Sequence, residues 1–509
     1  MAFIEVTAVR DAIVDPGTFT EWTNDDLNLD VGQPIGSQDY AAELAVAREH
    51  TGAEESVCVG TARIGGVDVA VILGDFAFLA GSVGRLACQR VIAAFARARR
   101  EGLPVFASPA SGGTRMQEGT AAFVLMADVA ASVERYRAAG LPLIVWLRNP
   151  TTGGVMATWG SLGTITLGEP GALTGFLGPR VFEMLAGSEF PAGVQTTDNL
   201  ASHGVIDGVV PLVDLRARLE SILFVTSRLS ERDDRPGDST LTEAEVDTPP
   251  DRAADPWDCV LKTRDPRRPT AAAVLAESLT CSTTLSGTGR GEVSDAVRVE
   301  LAKWRGQPVL VVAHDRAAQQ AGSPLGPSAL RVVQRGLRLA KQLQLAVVTI
   351  VDTPGAELSP AAEEGALAGE IARCLAMLTT LEVPTVSVLL GMGCGGGALA
   401  LLPADRVVAA ANSWVSPLPL EGASIIRYRS ADRAAEMARA QRVAAWQLKE
   451  DGIVDVVVPE LPDAAEEPDA FCQRISIAVG AQLADLASLD PQTRLALKRK
   501  RYGGGVDVT

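Results

Sequence analysis

Short apolar runs alternate along this chain with stretches whose apolar residues recur at helical spacing. GGVDVAVILGD (65–75), LPVFAS (103–108) and LPLIVWL (141–147) read as largely buried strands, because they are continuously apolar rather than alternating. A helical pattern fills 117–139, between the second and third runs. The second half repeats the order with RGQPVLVVAHD (305–315), LAVVTIV (345–351), a helical pattern ending at Leu381, and VPTVSVLL (383–390). In each half the second run ends in a turn, PASGG (109–113) or DTPGA (352–356). The third run ends in a glycine loop, NPTTGGV (149–155) or GMGCGGG (391–397).

The spacings agree closely. Gly112 to Gly153 and Gly355 to Gly396 are both 41 positions, Asp75 and Asp315 lie 240 apart, and the glycine loops lie 243 apart. The pattern predicts an α/β protein made of two duplicated domains. Residues 228–257, rich in Asp, Glu, Pro, Ser and Thr, have little to bury and read as an acidic linker between domains 1–227 and 258–509.

Composition narrows the function classes. A chain of 509 residues exceeds a single core, and 47% hydrophobic with 21% charged residues is an ordinary soluble profile. The net charge of −16 argues against nucleic acid as a general partner, though a local basic pocket for a phosphorylated cofactor stays open. Seven scattered cysteines without a CxxC pair suit a reduced interior and no zinc. Neither a signal peptide nor an apolar run of about 18 residues is evident, so a cytoplasmic protein with no membrane span is expected.

The glycine loops carry the chemistry. A loop leaving a strand and entering a helix presents backbone N–H groups with no Cβ in the way, backed by the positive end of the helix. Gly153–Gly154 and Gly396–Gly397 then admit three readings: plain tight turns, phosphate cradles, or oxyanion holes. Gly391, Gly393 and Gly396 fit GxGxxG, but position 416, where a dinucleotide site needs an acid, is Ser. His50, His203 and His314 each stand alone, and no histidine lies near Cys394 to make it a nucleophile. Backbone donors are the expected catalysts, with reactive groups carried by substrates.

FAFLAGSVG (76–84), ASGGTRMQEG (110–119), NPTTGGV (149–155) and EPGALTGFLGPRVFE (169–183) closely resemble the β subunit of bacterial acetyl-CoA carboxylase carboxyltransferase. DPRRPTAAAVL (265–275), VDTPGAELSPAAEEGALAGEIAR (351–373), GMGCGGGALAL (391–401) and EGASIIRYRSADRA (421–434) resemble its α subunit, so the chain resembles a β–α fusion. The resemblance implies two crotonase-like domains of repeated ββα units that meet at the active site. It implies carboxyl transfer from carboxybiotin on a carrier protein to acetyl-CoA, giving malonyl-CoA for fatty acid or polyketide synthesis.

By that resemblance Gly153 and Gly154 hold the thioester oxygen, and Gly396 and Gly397 the biotin ureido oxygen. Ser111, Gly112, Gly113, Arg115 and Arg180 fall on the CoA side, and Gly355 and Ala356 on the biotin side. It further implies a biotin carboxylase and a biotin carboxyl carrier protein as partners, and at least a homodimer. A malonyl-thioester decarboxylase, a carboxylase of a longer acyl-CoA such as propionyl-CoA, and a non-catalytic scaffold are the alternatives. The four-cysteine zinc ribbon common in such β subunits is missing from this sequence. The basic tail 495–505 reads as a solvated terminus.

Overall fold

The computed structural model describes residues 3–29, 38–176, 178–227 and 254–502. The linker expected at 228–257 lies mostly outside the described residues, as do the Arg180 side chain and positions 503–505. The chain divides into two compact units, Met1–Ser230 with Leu285–Glu292, and Glu231–Thr284 with Val293–Thr509.

Both units use one sheet plan. The first runs in the order Thr20–Glu21, Val57–Ile64, Val67–Gly74, Val105–Ser108, Leu143–Leu147, Ile165–Gly168, Gly208–Val209. The second runs Leu279–Thr284, Val297–Trp304, Gln307–His314, Ala346–Thr353, Thr385–Cys394, Arg406–Ala410, Val456–Val458. In each, the first three strands are antiparallel and the remaining pairs parallel. The hairpins match to the turn: Gly65–Gly66 (φ +57° and +79°) in one unit, Arg305–Gly306 (φ +46° and +85°) in the other. Two consecutive positive φ values give the type I′ twist that a two-residue hairpin needs.

Parallel strands require a crossover, supplied by helices Arg85–Glu101 and Pro327–Leu343. Helix coverage on top of flanking strands explains why Leu143–Leu147 and Thr385–Cys394 are buried at every position. The second of these strands extends four residues past the apolar run, so the first half of GMGCGGG is strand rather than loop.

The C-terminal segment departs from the solvated tail expected of it. Helix Pro491–Tyr502 docks against the second unit, with Arg494 and Lys498 buried. Lys498 donates to Leu381 O (3.1 Å) and pairs with Asp405 (3.3 Å), and Arg494 donates to Glu382 O (2.9 Å). Among the described residues no helix is long and apolar enough to cross a membrane, and no group of three or more His, Cys, Asp or Glu is placed to hold a metal.

A buried acid–base pair anchors the second unit. Arg268 donates to both Glu460 oxygens (2.5 and 2.9 Å), and Asn412 adds its backbone and side-chain N–H groups (3.0 and 2.8 Å). Burial pushes the Glu460 carboxyl up, but these bonds outweigh it and hold the group below the ordinary carboxylate range. The stabilisation is complete above the unfolded value of about 4.3 and is lost as pH falls through the lower folded value. Glu460→Gln should therefore melt well below the parent at pH 7, with the gap narrowing by about pH 3.5. Thermal melts at the two pH values test this, and a constant gap overturns it.

Candidate active site

Each unit brings a turn and a helix start together in the same way. In the first, Thr152 N–H donates to Ser111 O (2.9 Å) and Ser111 N–H to Pro150 O (2.6 Å), zipping turn 109–113 to loop 149–155. The Ser111 hydroxyl accepts Gly113 N–H (3.0 Å), bracing a residue at φ +115° that favours glycine. Gly153 stands at φ +63° and opens the short helix Gly153–Val155. The two glycines touch: a methyl on Gly153 would stand 3.1 Å from Gly113 Cα.

The second unit repeats these features 242 residues later. The Thr353 hydroxyl accepts Gly355 N–H (3.1 Å), and Gly355 lies at φ +136°. Thr353 pairs with Gly393 where Ser111 bridges Thr151. Glu357 N–H donates to Leu325 O (3.1 Å) where Arg115 N–H donates to Val83 O (3.0 Å). Gly395, at φ +64°, opens helix Gly395–Leu399.

This register corrects the spacing read from the sequence by one residue. Gly153–Gly154 is matched by Gly395–Gly396, not Gly396–Gly397, and Gly113 by Gly355. Burial keeps the same register, since Gly153, Gly154, Gly395 and Gly396 are all part-exposed while Gly397 is buried like Val155. A methyl on Gly397 would meet Leu325 Cδ2 at 2.7 Å and Ala356 N at 3.1 Å. Gly397 thus lets the helix start pack against the turn. Ala356 and its counterpart Thr114 come directly after the braced glycines.

N–H groups in the first turn of a helix have no carbonyl within the helix to bond. Gly153 N–H is committed to Phe176 O (2.9 Å), and Gly112 N–H to Ala80 O (2.9 Å). Gly154 and Gly396 come second in their helices and are part-exposed. Each unit therefore offers backbone donors suited to an oxygen that becomes negative.

Side chains near the turns are mostly structural. Arg115 is 1% exposed and donates to Glu55 (bidentate), Tyr40, Ser56 and Ser82, which uses all its N–H groups. These bonds tie Arg115 to the elements behind the turn. Arg148, wholly buried behind the first turn, donates to Ser108 Oγ (2.9 Å), Ser108 O (3.0 Å), Ile4 O (3.1 Å) and Gly74 O. Burial pulls its guanidinium down to about 10. Burial, with a smaller effect of Glu421, pushes the Cys394 thiol up to about 11, so it stays protonated and unreactive at neutral pH. Sequence reading passed over Thr353, Gly395, Asp352 and Arg148. Aligning the hydroxyls of ASGG and DTPG, rather than their glycines, would have revealed the first two.

The carboxyl transferase domain family matches residues 14–494. A Mycobacterium tuberculosis protein named "probable biotin-dependent acyl-coenzyme A carboxylase beta3 subunit" is 48% identical over 99% of this chain and 98% of its own. A Salinispora arenicola protein named "acetyl-coenzyme A carboxylase carboxyl transferase subunits beta/alpha" is 37% identical over 98% of this chain and 90% of its own. Transcarboxylase 12S, solved as a hexamer, shares the fold with a TM-score of 0.72 at 18% identity, covering 95% of this chain and 90% of that one. The twin sheets are thus those of the crotonase-like carboxyltransferase fold. The chain belongs to the carboxyl transferase family of biotin-dependent acyl-CoA carboxylases.

Proposed function

We propose that this chain is the carboxyltransferase component of an acetyl-CoA carboxylase, with its halves corresponding to the β and α subunits. It moves a carboxyl group from carboxybiotin on a carrier protein to the methyl carbon of acetyl-CoA, giving malonyl-CoA in the cytoplasm. The observation that carries this reading is the duplicated braced turn with a helix-start donor. Two electron-rich oxygens, one on each substrate, call for two such sites.

In the first unit, Gly154 N–H receives the thioester oxygen as proton loss from the methyl group makes it enolate-like. In the second, Gly396 N–H faces the ureido oxygen. Carboxybiotin supplies the carboxyl group, and the nitrogen it vacates accepts the methyl proton. No protein base is required, in keeping with a protonated Cys394 and a fully buried His314. Losing one oxyanion donor costs about 2.7–4 kcal/mol, so two sites supply a substantial part of the catalysis.

Large apolar side chains are exposed at equivalent positions in the two units, 242 residues apart: Met116 (88%) with Leu358 (94%), and Met184 (84%) with Ile426 (67%). Their exposure supports a homodimer or larger assembly in which a second copy covers them.

One relative is named for acyl-coenzyme A in general and the other for acetyl-coenzyme A, so a longer substrate such as propionyl-CoA is the second reading. One methylene in an apolar pocket is worth only about 1–3 kcal/mol. The test combines the chain with biotin carboxylase, carrier protein, ATP and labelled bicarbonate, and compares acetyl-, propionyl- and longer acyl-CoA. Acetyl-CoA should give the highest kcat/KM. A longer ester ahead by tenfold or more moves the assignment to that ester, and no label on any ester overturns carboxyl transfer. Malonyl-CoA decarboxylation without labelling assigns the decarboxylase reading instead.

A further inference from the structure

Asp352 sits where the two strands of the second site lose and regain register. Val351 pairs with Leu389 and Thr353 with Gly393, so Asp352 alone faces Leu390, Gly391 and Met392. Such bulges re-aim the residues beyond them. In this pair of strands those residues are Thr353, which braces Gly355, and Cys394, which leads into Gly395 and Gly396.

The Asp352 carboxylate fills the bulge. Oδ1 accepts Met392 N–H at 3.1 Å and occupies the space a methyl on Gly391 would need, 2.6 Å away. Oδ2 faces Arg316 Nε at 3.5 Å and has no hydrogen-bond donor among the described residues. Arg316 is itself fixed by Arg268 O (2.9 Å) and Thr263 O (3.4 Å). Asp352 N–H donates to His314 Nδ1 (3.3 Å), leaving His314 Nε2 buried without a partner among the described residues. An unmet buried oxygen such as Oδ2 is rare, and an apolar side chain would fill this space without it. What an apolar side chain lacks is the grip on Met392. In the first unit the corresponding positions are Ala110, Asn149 and Pro150, with no carboxylate and no N–H at the third.

We propose that Asp352 is a positioning residue for the second glycine turn alone: it pins the bulge that aims Gly396 N–H and so sets the rate of transfer from the biotin side without touching ligand. This rests on the reading of that turn as the carboxybiotin site.

Three variants of the full chain test it, assayed with biotin carboxylase and carrier protein. Asp352→Ala should lower kcat about 100-fold, the size of effect that a misplaced site produces. KM and Kd for acyl-CoA should stay within about twofold, because the first turn is untouched. Asp352→Asn keeps an oxygen for Met392 N–H and should recover about tenfold of the loss. Gly391→Ala displaces the carboxylate while keeping every charge, so it should mimic Asp352→Ala even if the latter folds poorly. Amide exchange should quicken over 391–397 in the variants and stay unchanged over 149–155.

A kcat loss below about threefold in both alanine variants overturns the inference. So does an asparagine variant no better than alanine, or exchange that quickens equally at both turns. If the parent transfers no carboxyl group, the reading of function fails on its own. The exchange pattern then still decides whether Asp352 holds this turn.

Discussion

Gly153→Val should lower kcat for carboxyl transfer about 10²–10³-fold, the cost of one lost oxyanion donor. Gly153 lies at φ +63°, a conformation that costs a β-branched residue roughly 1–3 kcal/mol. Its Cβ would stand 3.1 Å from Gly113 Cα, and neither backbone can swing aside as a side chain would. Relief requires the helix start to move off the turn, carrying Gly154 N–H away from the reacting oxygen. Gly395→Ala is the contrasting case. Its φ is +64°, but a methyl there meets only Pro417 O, at 3.5 Å. That variant carries the dihedral strain without the clash and should lose about tenfold or less. Steady-state kinetics with melting curves on both proteins make the check. A Gly153→Val enzyme within tenfold of the parent removes this turn from the chemistry.

The contrast between these two glycines shows what a sequence conveys and what it conceals. The duplicated order of strands was legible because burial on both faces leaves runs such as LIVWL with no polar residue. The glycine loops were legible because few other motifs put so much bare backbone after a strand. Their register was not, since glycines were counted from the loops and GGG offers more than one pairing. Backbone dihedrals resolve the ambiguity at Gly395, and the Ser111 and Thr353 hydroxyls explain it, each bracing a positive-φ glycine two residues on. Asp352 escaped notice because its partners are 38 and 40 residues away, and no local pattern encodes a carboxylate folded into a bulge. The tail LALKRKR was misjudged for a related reason. Its charges suggested solvent, and Arg499 and Lys500 are exposed, whereas the long stem of Lys498 packs inside while its head reaches a carbonyl at the end of another helix.

Arg115 carries the same lesson into stability. Read from its motif it was a candidate for the CoA side, yet Glu55 and Arg115 form an ion pair whose side chains are 2% and 0% exposed. Removing one partner of a buried pair typically costs about 3–5 kcal/mol, because the other charge is left without a counterion. Glu55→Ala should therefore destabilise the first unit toward the low end of that range, since Glu118 lies 3.6 Å from Arg115 and gives partial compensation. At about 2–4 °C per kcal/mol for a domain of this size, the melting transition should fall by roughly 10 °C. Glu55→Leu combined with Arg115→Met removes both charges and should regain much of the loss, the two changes being coupled through the bond they share. Kinetics below the transition separate support from contact. If Arg115 only ties the turn to Glu55, the double variant keeps the parent's KM for acyl-CoA. A tenfold rise in that KM, with folding intact, would return Arg115 to the ligand.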